Sequence, residues 1–190
     1  SGCVGTTSAA MLAGGDDDGS PPYFNNTETW DGTSWTTSPA TLSSAKTEVA
    51  IAGISTAAVV AGGKTAPGVP NLSNVIETWN GSAWATSPAT LNVARNSMQR
   101  AGVTGSTAAL FIGGYDPAPG KGVQTEEWNG TISATNPSLA TATAEGGSAG
   151  PSITAALIMG GNTPAGNSRT ETQLFTGATT AANIVTVTTS

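Results

Sequence analysis

Apolar and small residues along this chain fall into short runs, and each long run ends at a pair of glycines. The runs 8–13, 56–61, 107–112 and 154–159 stop at Gly14-Gly15, Gly62-Gly63, Gly113-Gly114 and Gly160-Gly161. A second marker keeps the same beat. Trp30-Asp31-Gly32, Trp79-Asn80-Gly81 and Trp128-Asn129-Gly130 recur every 49 residues, with Phe175-Thr176-Gly177 as a worn fourth copy. A third is Ser38-Pro39-Ala40-Thr41-Leu42, repeated as Ser87-Pro88-Ala89-Thr90-Leu91 and loosely as Asn136-Pro137-Ser138-Leu139. Independent markers sharing one period identify a repeat, and a period near 50 residues is that of a small supersecondary unit.

Each repeat predicts four short strands. In the second copy the first strand is Val49-Ala50-Ile51-Ala52-Gly53, and the second is the run ending at the glycine pair. The third is Val75-Ile76-Glu77-Thr78-Trp79. Asn80-Gly81 then predicts a two-residue type I′ turn, because those residues tolerate positive φ. The fourth strand is Ser82-Ala83-Trp84-Ala85-Thr86, ended by Pro88, which cannot donate to a ladder. Residues 1–7 read as a first strand and 184–188 as a last one, so the chain holds four whole meanders. No segment of useful length has helical period. The fold class is all-β: four four-stranded antiparallel blades in a single domain over 1–190, with approximate blades 1–39, 46–88, 95–137 and 144–190.

Composition narrows the function. Only 9% of residues are charged and the net charge is −6. Six basic residues cannot build the patch that phosphate backbones require, which argues against nucleic acid. No run reaches membrane-spanning length, so no membrane insertion is expected. The absence of His removes the commonest general base and the Ser-His-Asp arrangement, and the single Cys3 excludes a thiolate cluster. No enzyme activity is expected.

The pattern of an apolar run with Gly-Gly, two Trp five residues apart, a Pro and a basic residue resembles the kelch repeat. Trp79, Trp84, Pro88 and Arg95 carry it best, and Trp30, Trp35, Pro39 and Lys46 match. The third copy keeps Trp128 and Pro137 but has Ser133 and Thr143 at the other two positions. The resemblance implies a kelch-like β-propeller. Three arrangements stay open: a tight four-blade ring, part of a larger ring, or a ring completed by other chains. Glu77-Thr78-Trp79-Asn80-Gly81-Ser82-Ala83-Trp84, followed by Leu91-Asn92-Val93-Ala94-Arg95, is similar to repeats in virion proteins of tailed bacteriophages, including tail fibres. That similarity implies a virion location, with other virion proteins or copies of itself as partners.

Candidate sites are few. Glu28, Glu77 and Glu126 recur two residues before Trp, and residues repeated in every unit serve each unit alike. They read as hydrogen-bonding groups within or between blades rather than as a glycosidase pair. Trp30, Trp79 and Trp128 read as packing between blades, with sugar stacking as the alternative. Asp16, Asp17 and Asp18 form the one unrepeated acidic cluster, a candidate Ca2+ site or a solvated loop tip. No other cofactor is indicated. Loops between second and third strands, such as 16–26 and 115–123, do not repeat, and recognition concentrates in variable loops on rigid scaffolds. Tyr23, Phe24, Tyr115 and Asp116 are the ligand-binding candidates there. These features predict a structural or host-recognition module that meets host surface glycans. The alternative is a secreted bacterial carbohydrate-binding or adhesive propeller located outside the cell.

Overall fold

A computed structural model describes residues 1–17, 20–67, 71–102, 105–116, 122–131, 133–163, 167–176 and 184–187. These residues form sixteen strands in four antiparallel sheets and no helix. The first sheet is β1 (Gly2–Gly5), β2 (Ala10–Asp17), β3 (Ser20–Trp30) and β4 (Trp35–Ser38). The second is β5 (Ala50–Ile54), β6 (Ala57–Ala61), β7 (Val75–Trp79) and β8 (Trp84–Thr90). The third is β9 (Gln99–Ala101), β10 (Ala109–Ile112), β11 (Thr125–Trp128) and β12 (Ser133–Asn136). The fourth is β13 (Gly147–Ser152), β14 (Ala155–Met159), β15 (Thr172–Phe175) and β16 (Ile184–Val187). In each, strands pair in chain order, so every unit is an up-and-down meander.

Neighbouring sheets stack face to face, and the alternation of side chains along each strand decides what lies between them. Met11, Ala13 and Leu42 of the first repeat meet Ile51, Ala58, Val60 and Trp79 of the second. Ala52, Val59, Ala61, Ile76 and Leu91 then meet Phe111 and Trp128 of the third. Leu110, Ile112 and Leu139 meet Ala156, Ile158 and Phe175 of the fourth. Each sheet thus offers a leading face to its predecessor and a trailing face to its successor. Among the described residues, no hydrogen bond and no buried cluster joins the first sheet to the fourth.

The tryptophan before each turn locks its own sheet. Trp30, Trp79 and Trp128 donate Nε1–H to the carbonyls of Thr7, Ser55 and Ser106 at 2.9, 3.0 and 2.8 Å. The turn itself differs from the type I′ expectation. Trp79 pairs with Trp84, which leaves four residues in the loop, and of Asn80 and Gly81 only the glycine has positive φ. Asn80 instead folds back, its Oδ1 accepting from the amides of Ser82 and Ala83. That bond competes with the φ > 0 geometry. Pro88 does not end the fourth strand either. β8 runs on to Thr90 through a register shift opposite Val75 and Glu77. It is an outer strand, where a missing amide hydrogen costs the ladder nothing.

Connectors between sheets cross over the glycine pairs. A Cβ on Gly62 (φ 68) would lie 2.3 Å from the Arg95 carbonyl oxygen, and one on Gly113 would lie 2.2 Å from that of Thr143. At Gly160 (φ 59) the nearest atom would be the Arg169 carbonyl oxygen at 3.3 Å. Gly62→Ala is expected to cost about 3 kcal/mol through overlap plus left-handed strain, and Gly160→Ala only about 1 kcal/mol through strain. Urea unfolding of the two variants measures the difference.

Candidate functional site

The polar side chains with the most built geometry lie at the sheet junctions. Lys46, in the connector after the first sheet, reaches the third strand of the second, where Nζ sits 2.7 Å from Glu77 Oε1. The other oxygen of Glu77 accepts the Ser43 amide at 2.8 Å. One repeat later, Arg95 Nη2 lies 2.6 Å from Glu126 Oε1, and Glu126 Oε2 accepts the Asn92 amide at 2.7 Å. All four charged side chains are buried. Burial pushes the Arg95 guanidinium below its ordinary value, while the Glu126 carboxylate acts to hold it charged. Arg95 Nη1 also donates to the carbonyls of Gly113 and Gln124, so this connector is pinned at three points.

The third junction is a neutral version of the same clamp. Thr143 stands where the cation would be, and Gln173 stands where the carboxylate would be. Gln173 Oε1 accepts the amides of Ala140 and Thr141 at 3.0 and 3.3 Å, and Nε2 donates to the Thr141 carbonyl at 3.1 Å. Loss of the cation is matched by loss of the anion. This follows from the cost of an unpaired buried charge, several kcal/mol where a buried amide costs far less.

Two hydrogen-bond series tie the second, third and fourth sheets together at and just before their first strands. Ser97 N donates to Glu48 O and Glu145 N to Ser97 O, at 3.0 and 3.1 Å. Gly53 N donates to Gly102 O and Gly102 N to Gly150 O, at 3.2 and 3.3 Å. Glu48, Ser97 and Glu145 all have left-handed φ, 55, 53 and 58°. Such residues are held only by surrounding structure, and no composition cue marks them. Between β1, β5, β9 and β13 lies a cavity of about 630 Å³ bordered by Cys3, Ile51, Arg100 and Ser148. Arg100 Nε donates to Ile51 O at 2.6 Å and Nη2 to Cys3 O at 3.2 Å, while Ser148 Oγ donates to Arg100 O at 2.8 Å. Arg100 therefore links all four repeats, its side chain reaching the first and second and its backbone meeting Ser148 of the fourth. Its equivalents are Cys3, Ile51 and Ser148, so no repeat marker points to it.

The residues singled out by sequence are dispersed. The described residues of segment 16–26 are strand rather than loop: β2 and β3 continue into a long hairpin in which Asp16 pairs with Tyr23 and Gly15 with Phe24. Alternating positions suit this: strand register extends until a turn breaks it. Asp16 and Asp17 are successive residues of β2 with a register shift between them, and Asp18 lies outside the described residues. Phe24 is exposed and Tyr23 half-buried. Tyr115 is held in place by a two-way backbone bridge to Asn96. Burial, with Glu145 and Glu48 nearby, raises its hydroxyl above the ordinary tyrosine value. Asp116 is buried and accepts from Gln124 Nε2 at 2.8 Å. No hydrogen bond or ring contact joins the Tyr23–Phe24 pair to the Tyr115–Asp116 pair among the described residues. The described segments hold no cluster of three metal-ligating side chains.

A scan against protein-family models and a search of curated proteins each find no match to this chain.

Gln173→Glu tests the charge matching. The new carboxylate would be buried opposite Thr143 without a cation, which raises its folded-state pKa above the unfolded value near 4.3. The variant is therefore expected to match the parent below about pH 4 and to lose stability as pH rises, by about 3 kcal/mol at pH 7. Chemical denaturation at the two pH values reads this directly, and a pH-independent loss would contradict it.

Proposed function

We propose that the four sheets are blades of a kelch-like β-propeller and that the chain is a non-enzymatic module of a bacteriophage virion, structural or host-recognising. The kelch-like spacing of Trp79, Trp84, Pro88 and Arg95 and the gathering of four inner strands about one cavity support the propeller reading. The absence of any bond or buried cluster between the first and fourth described sheets favours an open arc, completed by further blades or by other chains, over a tight four-blade ring. The buried charges of Lys46, Glu77, Arg95 and Glu126 answer one another across junctions, an arrangement suited to a rigid scaffold.

The observation that carries the recognition role is the long first hairpin. β2 and β3 run eight and eleven residues, against four or five in the equivalent strands of the other sheets. This excess breaks the repeat and carries Phe24 into solvent. A rigid two-stranded finger places an aromatic ring at low entropic cost, which suits glycan or protein contact. The same ring favours a second reading, a secreted bacterial carbohydrate-binding or adhesive propeller. In the virion reading the partners are other virion proteins, copies of the chain or host surface glycans.

Tyr23→Ala and Phe24→Ala are expected to lower binding to bacterial cells or to glycans on an array at least tenfold, with an unchanged near-ultraviolet spectrum. Binding that survives both changes would remove the hairpin from the function. Silence of the unaltered chain on every glycan and cell would leave a structural role alone.

A further inference from the structure

The leading face of the first sheet carries residues similar to those of the second, yet among the described residues no other sheet packs on it. By register, Cys3, Ala10, Leu12, Glu28 and Trp30 correspond to Ile51, Ala58, Val60, Glu77 and Trp79. The second set is buried against the first sheet. In the first set Cys3 is exposed and the other four are half-buried. Trp35, equivalent to Trp84, is 49% exposed, whereas Trp84 donates Nε1–H to Thr27 Oγ1 of the neighbouring sheet at 2.8 Å.

Glu28 is the informative member. Glu77 and Glu126 each hold a cation and a connector amide, while the Glu28 carboxylate has no hydrogen-bond or ion-pair partner among the described residues. It borders an open cleft of about 290 Å³ with Leu12, Asp16, Asn26 and Phe24. That is the place a connector occupies over the second and third sheets. The cleft has two carboxylates and no cationic side chain among its lining residues. The neutral junction sharpens the point. Where the neighbouring connector brings no cation, the strand carries Gln173, and where it brings Lys46 or Arg95, the strand carries glutamate. The first sheet carries glutamate.

We propose that this cleft and face dock a polypeptide segment of a partner that is built like the connectors 39–49 and 88–98, with a lysine or arginine reaching Glu28 and a backbone amide meeting its second oxygen. The partner's small and apolar flanking residues cover Leu12, Trp30 and Trp35. This rests on the internal junctions alone and holds whether or not the chain belongs to a virion.

The probe is a synthetic peptide with the sequence of residues 39–49, added to the isotope-labelled chain. It is expected to shift the amide resonances of Leu12, Glu28 and Trp30. Glu28→Gln in the chain, or Lys46→Gln in the peptide, is expected to weaken binding at least tenfold, and the two together no more than either alone. Glu28→Gln removes no hydrogen bond or ion pair among the described residues, so an unchanged near-ultraviolet spectrum is expected. Absence of binding at millimolar peptide would overturn the proposal, as would binding indifferent to both charges. Sedimentation equilibrium of the chain alone supplies the other arm. Self-association abolished by Leu12→Arg would assign the face to a second copy and refute a basic segment as its occupant.

Discussion

A buried carboxylate on the third strand of one sheet, answered by the connector arriving from the sheet before, organises this molecule. Apolar packing supplies most of the stabilisation, but packing between β-sheets is tolerant of slides and rotations. The clamp is not. Glu77 accepts from Lys46 and from the Ser43 amide at once, so the connector has one position relative to the next sheet. With the connector fixed, the Lys46 carbonyl closes over Gly14, as the Arg95 carbonyl of the next connector closes over Gly62, and no Cβ fits at either glycine. The interlocking explains why the glycine pair, the basic residue and the glutamate recur together although they are far apart in sequence.

The fold was legible because its signals are local and repeated. Val75–Trp79 follows the sequence reading to the residue, and the runs before each glycine pair are all strands. The misreadings arose where local cues meet tertiary context. Pro88 looks like a terminator but lies on an outer edge that asks nothing of its nitrogen. Asn80-Gly81 looks like a primed turn, but the asparagine side chain captures two amides instead. Segment 16–26 looks like a loop because it is polar and unrepeated, yet strand pairing continues as far as Asp17 and Ser20.

The junction chemistry was only half visible. The absence of a basic residue at Thr143 can be read directly, but its meaning appears only when Gln173 is seen to bond the same connector. Arg100 was not legible at all. It occupies a position held by Cys3, Ile51 and Ser148 in the other repeats, and its importance comes from reaching carbonyls that sequence cannot place. Repetition thus reveals what every unit shares, and conceals the single residue that uses the centre. The division is structural: shared residues make the stack, whereas the long first hairpin belongs to one repeat alone.

The buried carboxylate and cation act as one unit. A double-mutant cycle on Lys46→Met and Glu77→Met, followed by urea unfolding at pH 7, measures this most directly. Each single change strands a charge away from water and is expected to cost about 3 to 5 kcal/mol. The double change should cost well under their sum, with a coupling on the order of 2 kcal/mol or more. Additive losses would contradict the account and leave the stack to apolar packing alone.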